Sequence, residues 1–484
     1  MSLLTQNIWN EKIFNGDWCV GAASPHTVVE AATGETLGAV GMADANQALA
    51  SSTAAAAAQR DWGKAAPSVR AQVLRRAAQL WQERAGEVQE WLIREAGSVR
   101  AKAELEVAQT ADACWEAAAL PTHPTGEMLA SNEDRWSMSR RRPAGVVTVI
   151  APFNFPLLLA IRSVAPALAL GNAVVLKPDP RTAVSGGVTI ARIFEEAGLP
   201  EGLLHVLPGD AEVGKAVVTA PEVAVVSFTG STGAGRHVGA AASGALKRVH
   251  LELGGNNALV VLPGADVAKA ASAGAFGSWL HQGQICMTTG RHLVHESIAE
   301  EYIAALTEKA RHLPVGNPYT DEVALGPIID DKQREHVHRI VTAARDAGDT
   351  VHGGGEPAGR FYPPTVISCD KDSPAWREEI FGPVAPVVTF ASIEEAAELV
   401  NDSEYGLSVG ILGEVGMAME LADLVDSGKI HINEQTVSDE PNVPFGGVKD
   451  SGNGSRFGGA AADIEAFTEV QWLTMRPQIA DYPF

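Results

Sequence analysis

Three side chains in this 484-residue sequence have the type and setting for nucleophilic catalysis: Cys286 in HQGQICMTTGRH, Glu252 in LELGGNN and Asn154 in APFNFP. Cys286 stands among glycine, glutamine and threonine rather than the Val, Leu or Ile that surround a packed thiol, which suits a reactive sulfur. Free cysteine is nonetheless among the most buried residue types, so packing is the alternative. Glu252 lies in apolar, strand-like text before two glycines. Burial there raises a carboxyl pKa toward neutrality and suits a general base, while a buried ion pair explains the same text equally well. Asn154 is placed either to give its amide to a developing oxyanion or to cap a turn.

Other stretches have the character of ligand contacts. SFTGSTGAGR (227–236) sets Gly230, Ser231 and Gly235 between a strand and a helix, where backbone N–H groups and the helix dipole attract a pyrophosphate; an ordinary strand–helix turn reads the same way. Lys177 ends NAVVLKP, where an ammonium reaches ribose hydroxyls or merely precedes the turn at Pro178. REEIFGP (377–383), taken alone, reads as a surface loop.

The elements around these residues point to an α/β fold. From about 65 to 120 the apolar residues recur at helical spacing, predicting a pair of amphipathic helices. After Pro143, GVVTVIAP, NAVVLKP, GLLHVLPG and VAVVSFTG alternate with helical stretches, the pattern of a doubly wound parallel sheet whose ligands sit at the carboxyl ends of its strands. A second such series starts just after Glu252 with NNALVVLP and runs through VAPVVTF to KIHIN. ASNEDRWSMSRRRP (130–143) and FTEVQWLTM near the C-terminus have no place in either sheet and predict a protruding strand pair that meets another subunit.

Composition narrows the partners. A net charge of -22 argues against nucleic acid or an anionic membrane, and 46% hydrophobic with 20% charged residues describes a soluble globular chain. The N-terminus lacks a basic, then apolar, secretory leader, and the segment 157–170 is broken by Arg162 and Pro166, so a cytoplasmic location is expected. Four scattered cysteines without metal-ligand spacing predict free thiols and no metal site.

Taken together, FN ending at 154, KP at 177, FTGST at 228, ELGG at 252, GQIC at 283, EEIFGP at 378 and PFGG at 444 resemble, in order and spacing, the NAD(P)-dependent aldehyde dehydrogenase superfamily over nearly the whole chain. RSVAPALALGNAVVLKPD, HQGQICM, GRHLVH and HIN followed by VPFGG are most similar to bacterial benzaldehyde and vanillin dehydrogenases. The resemblance implies an NAD(P)-binding domain (1–122 and 144–253), a catalytic domain (254–445) and an oligomerisation segment (123–143 and 455–484) in a homodimer or homotetramer.

It also implies roles. Cys286 attacks the aldehyde, Asn154 and the Cys286 N–H hold the oxyanion, and Glu252 activates the water that hydrolyses a thioester rather than leaving it to coenzyme A. Lys177 and Glu379 hold the two riboses, Phe381 packs near the nicotinamide and Ser231 meets the pyrophosphate, with Gly230 and Gly235 allowing close backbone approach. The aldehyde tunnel comprises Phe155, Leu158, Arg162, Ile285, Met287 and Phe445, with Arg162 either meeting a polar ring substituent or turned away to a carboxylate.

Two departures stand out. Pro180 occupies the position where NAD-preferring relatives often carry a glutamate; Asp179 is the substitute, and Arg181 the residue that would attract a 2′-phosphate, so NAD is expected with NADP possible. Arg456 occupies the position of a glutamate proposed as a proton relay. The expected activity is oxidation of an aromatic aldehyde to its acid. The alternatives are aliphatic or semialdehyde substrates and, more remotely, a non-catalytic protein on the same fold.

Overall fold

The computed structural model describes residues 2–484. Two seven-stranded sheets carry the molecule. The first runs Arg248–Glu252, Val223–Thr229, Val146–Ile150, Ala173–Lys177 and Leu204–Val206, all parallel, and is extended by the antiparallel N-terminal strands Lys12–Phe14 and Trp18–Val20. Its central strands are β-branched and buried along almost their whole length, because helices cover both faces. The chain fills the sheet outward from Val146–Ile150 in one direction, then returns to its other side. The resulting switch point opens a crevice beyond Ile150 and Thr229.

The second sheet runs Thr350–Gly353, Thr365–Ser368, Val384–Phe390, Thr289–His295, Asn257–Val261, Ser408–Leu412 and Lys429–Ile432, parallel apart from the edge strand Thr350–Gly353. Helices Val267–Trp279 and Ala299–His312 cover one face, and Ile393–Asn401 with Val415–Ala422 the other.

The 65–120 stretch folds as three helices rather than the expected pair: Pro67–Glu83, Ala85–Ala96 and Arg100–Ala117. The first starts on a proline that needs no N–H partner, and the second stops at Gly97, whose left-handed φ of 68° suits a glycine cap. The expected strand pair does form. Thr468–Met475 runs antiparallel to Trp136–Pro143, from Thr468 opposite Pro143 to Met475 opposite Trp136, and Gly126–Met128 adds a third strand. Trp136, Val470, Trp472 and Met475 lie exposed on it. The helix Ala460–Phe467, by contrast, seats Ala466 and Phe467 in the core beneath the first sheet.

Close packing in the second region leaves no room at Gly274, where an added Cβ would meet Tyr302 Oη at 2.1 Å and the His292 ring at 3.0 Å. Gly274→Ala is expected to cost about 1–3 kcal/mol of stability, read as a lowered midpoint of denaturant unfolding.

Candidate active site

The carboxyl ends of the first sheet abut the amino ends of the second, and the candidate residues meet along that seam. Asn154, Lys177, Ser231 and Glu252 follow or end first-sheet strands. Cys286 and Glu379 arrive from the other side, on the loops that precede Thr289–His295 and Val384–Phe390.

The loop bearing Cys286 is bent by a left-handed turn. His281 (φ 50°, ψ 41°), Gln282 (φ 58°, ψ 26°) and Gly283 (φ 69°) adopt it in succession, at about 1–2 kcal/mol for each residue that is not glycine. Hydrogen bonds hold the strained backbone in place. Gln282 Nε2 donates to the carbonyls of Gly97 (2.9 Å) and Pro327 (2.8 Å), and Gln284 Oε1 accepts from Ile329 N at 3.0 Å. Asn257 Nδ2 donates to the carbonyls of Cys286 and Thr288, both at 2.8 Å. The Cys286 N–H donates to no group among the described residues. Burial pushes the Cys286 thiol up to about 12, against the pull of Lys429, so the resting sulfur is protonated.

Glu252 ends its strand with both carboxylate oxygens buried and without a hydrogen-bond partner among the described residues. Desolvation raises its pKa well above the ordinary carboxyl range, opposed by Arg456, Arg162 and Lys429. The ion-pair alternative raised by the sequence is therefore not what the structure contains.

Asn154 is buried, and its Nδ2 donates to the Gln284 carbonyl at 2.9 Å. A primary amide has two N–H groups, so one is left for another acceptor. Beneath it lies a fully buried pair: Lys102 Nζ donates to Glu106 Oε2 at 2.5 Å and to the Asn154 carbonyl at 2.8 Å, while Glu106 Oε1 accepts from Leu157 N (2.9 Å) and Leu158 N (3.3 Å). Glu106 thereby caps the helix Pro156–Ala169, whose Phe155 has no side-chain oxygen to do so.

A cavity of about 220 Å³ reaches Cys286 and Asn154. Phe155, Leu158, Ile285, Met287 and Phe445 line it, as does Asp439. Arg162 does not, which corrects its expected place in the tunnel wall. Its guanidinium turns behind Phe445, 4.8 Å from the ring centroid, and pairs with Asp439 at 2.6 Å, because so buried a cation requires a counter-charge.

The aldehyde dehydrogenase family profile matches residues 18–473. The chain is 59% identical to vanillin dehydrogenase of an Amycolatopsis species over the full length of both, and 46% identical to benzaldehyde dehydrogenase (NAD+) of Pseudomonas putida over 99% of each. The solved structure of a salicylaldehyde dehydrogenase from Pseudomonas putida G7, complexed with salicylaldehyde, superposes with a TM-score of 0.93 at 34% identity over 98% of this chain and 99% of that one. This chain belongs to the aldehyde dehydrogenase family. Its α/β fold with two largely parallel sheets is the family's fold, and NAD or NADP is the family's cofactor.

The residues of this aldehyde dehydrogenase fit a dinucleotide. The helix Thr232–Gly244 starts in the open, capped by Ser231 Oγ accepting from Ala234 N, and the N–H groups of Thr232 and Gly233 are bonded to no protein group among the described residues. The Lys177 ammonium has no hydrogen-bonded partner among the described residues, and burial lowers its pKa. Glu379 accepts from Gly255 N at 2.9 Å and is pushed up to about 7 by desolvation; a Cβ on Gly254 would lie 2.4 Å from its Oε2. Phe381 takes a left-handed φ of 51° and sets its ring edge-on to Phe153, 6.0 Å between centroids.

Asp179, Gly235 and Gly230 also make contacts within the protein. Asp179 is held by Arg181, which donates to both its oxygens (2.9 and 2.7 Å) and also to Asp330 (2.6 Å), so the two charges are balanced against each other within the protein. A Cβ on Gly235 would lie 2.2 Å from Leu253, so this glycine serves helix packing. Gly230 gives its N–H to the Glu252 carbonyl at 3.0 Å and abuts the Phe228 ring, which leaves that N–H unavailable to a phosphate.

Sequence reasoning missed Lys102, Glu106, Lys429 and Asp439. The first two sit four apart on a helix, an ordinary surface-pair spacing, and only their burial sets them apart. Lys102→Met leaves Glu106 buried without its counter-ion and should cost about 3–5 kcal/mol in denaturant unfolding; adding Glu106→Gln should recover part of that loss.

Proposed function

We propose that this aldehyde dehydrogenase oxidises aromatic aldehydes to carboxylic acids with NAD, through a thioester on Cys286. The observation that carries the reading is a largely apolar, aromatic-walled cavity that reaches a cysteine while a buried, unpartnered glutamate lies within electrostatic reach. The similarity to vanillin, benzaldehyde and salicylaldehyde dehydrogenases supports the substrate class. Flat rings suit Phe155, Leu158, Ile285 and Phe445 better than a flexible alkyl chain does.

The free thiol reacts only as its thiolate, so Cys286 must lose a proton, and Glu252 in its raised pKa range is the base suited to receive it. Attack of the sulfur on the aldehyde carbon places negative charge on oxygen, where the free N–H of Asn154 and the Cys286 N–H donate. One such donor is worth roughly 3 kcal/mol in comparable sites. Phe381 would pack beside a nicotinamide, with Lys177, Glu379 and Ser231 holding the riboses and pyrophosphate; the cofactor, when bound, would supply the acceptor for the hydride that leaves the thiohemiacetal carbon. Once Glu252 has passed the cysteine proton to solvent, it takes a proton from the water that attacks the thioester carbon, and Cys286 departs as thiolate with release of the acid.

The division into a cofactor domain about the first sheet and a catalytic domain about the second follows the seam that these roles share. The exposed Val470 and Trp472, which share one face of the strands Trp136–Pro143 and Thr468–Met475, support a homodimer or homotetramer. Four free thiols and an acidic chain accord with a cytoplasmic enzyme. Trp472→Glu is expected to lower the mass seen by light scattering; an unchanged assembly removes this face as the contact.

The chemistry is tested by following reduced nicotinamide on addition of benzaldehyde or vanillin. Cys286→Ala should abolish the signal. Glu252→Gln should give at most a single burst and then stall. Because the base must be ionised and its pKa is raised, thioester hydrolysis should gain rate with rising pH through a limb above the ordinary carboxyl range. Full turnover by Cys286→Ala overturns the scheme.

A further inference from the structure

The cavity wall is apolar over most of its area, and one carboxylate breaks it. Asp439 lies on the loop between the strand Lys429–Ile432 and Phe445. Arg162 holds its two oxygens at 2.6 and 3.0 Å, Lys429 Nζ stands 3.9 Å away, and Gln109 donates to its backbone carbonyl at 3.1 Å. Lys429 is fixed in turn by the Ser438 carbonyl and Met287 Sδ, each at 2.8 Å. The Arg162, Lys429 and Asp439 side chains are only 3%, 8% and 10% exposed. Of the three, Asp439 alone lines the cavity.

Removing three charges from water is expensive, and apolar side chains of similar volume are often as stable or more so. A carboxylate has about four acceptor positions, and Arg162 takes two of them. The positions that remain are open to a donor entering the cavity that Asp439 lines.

We propose that Asp439 is a specificity-determining residue that selects aromatic aldehydes bearing an un-ionised hydroxyl group on the ring; this rests on the aromatic-aldehyde activity proposed above. A neutral phenol donates to the carboxylate in a charge-assisted hydrogen bond. A phenolate or a ring carboxylate meets a like charge instead. The selection also favours reactivity, because a phenolate conjugated with the aldehyde pushes electron density onto the carbonyl and makes its carbon a poorer target for Cys286. Arg162 and Lys429 act through Asp439, holding its position and balancing its charge.

The test compares kcat/KM for para- and meta-hydroxybenzaldehyde, para-fluorobenzaldehyde, para-formylbenzoate and benzaldehyde in the wild type and in Asp439→Asn. The wild type should prefer at least one hydroxyl substrate over the fluoro compound by about tenfold, the scale of a hydrogen bond to a charged group, and should reject the formylbenzoate. In Asp439→Asn the hydroxyl preference should fall several-fold and the formylbenzoate should gain. Ratios of kcat/KM cancel the amount of active protein, so a partly unfolded variant still gives the answer. Equal use of hydroxyl and fluoro substrates by the wild type, or a preference unchanged in Asp439→Asn, overturns the assignment to Asp439 while leaving aromatic oxidation intact. Failure of the wild type on every one of these aldehydes overturns the aromatic reading itself.

Discussion

Desolvation at the seam between the two sheets is the constraint on which the site depends. Burial is the largest influence on Cys286, Glu252, Glu379 and Lys177 alike, and in each it favours the neutral form. In all four the ionised form is thereby made less favourable than it would be in water. Such a site is unfavourable on its own, and the two sheet cores on either side must offset it. A pKa moved toward neutrality in a carboxyl group is also what proton transfer near neutral pH requires.

The same economy governs the loop that carries Cys286. His281 and Gln282 occupy left-handed backbone conformations that residues other than glycine seldom adopt, and His281 is fully buried. The conformation persists because Gln282, Gln284 and Asn257 tie the loop to segments far apart in sequence. On the opposite wall, Lys102 and Glu106 perform the same service for Asn154 and the first turn of the following helix. Nucleophile and oxyanion donor are therefore fixed from behind by groups that never touch the cavity.

Much of the architecture was legible in the sequence. The β-branched runs from Val146 to Thr229 and from Asn257 to Ile432 became the strands expected, since a parallel strand covered on both faces must be apolar at every position. Asn154, Lys177, Ser231 and Glu252 were found where a doubly wound sheet offers its strand ends. Cys286 and Glu379 were not open to that rule, since they approach on the amino side of second-sheet strands. A periodic pattern carries no information on which ends of two sheets face each other.

Ionic contacts were the least legible. Arg162 falls within an apolar helix and its spacing from Asn154 points toward the tunnel, but the side chain is long enough to pass behind Phe445, and Asp439, 277 residues away in the chain, decides its direction. Asp179 and Arg181 resemble free cofactor contacts until Asp330 completes their network. By itself the sequence determined the strands, the order of the motifs and the identity of the reactive side chains, because local hydrophobic pattern and side-chain chemistry are written residue by residue. Only the tertiary structure decided which charges are buried, which are paired and which one faces the cavity, because desolvation and Coulomb energy depend on distances between segments that the linear order does not specify.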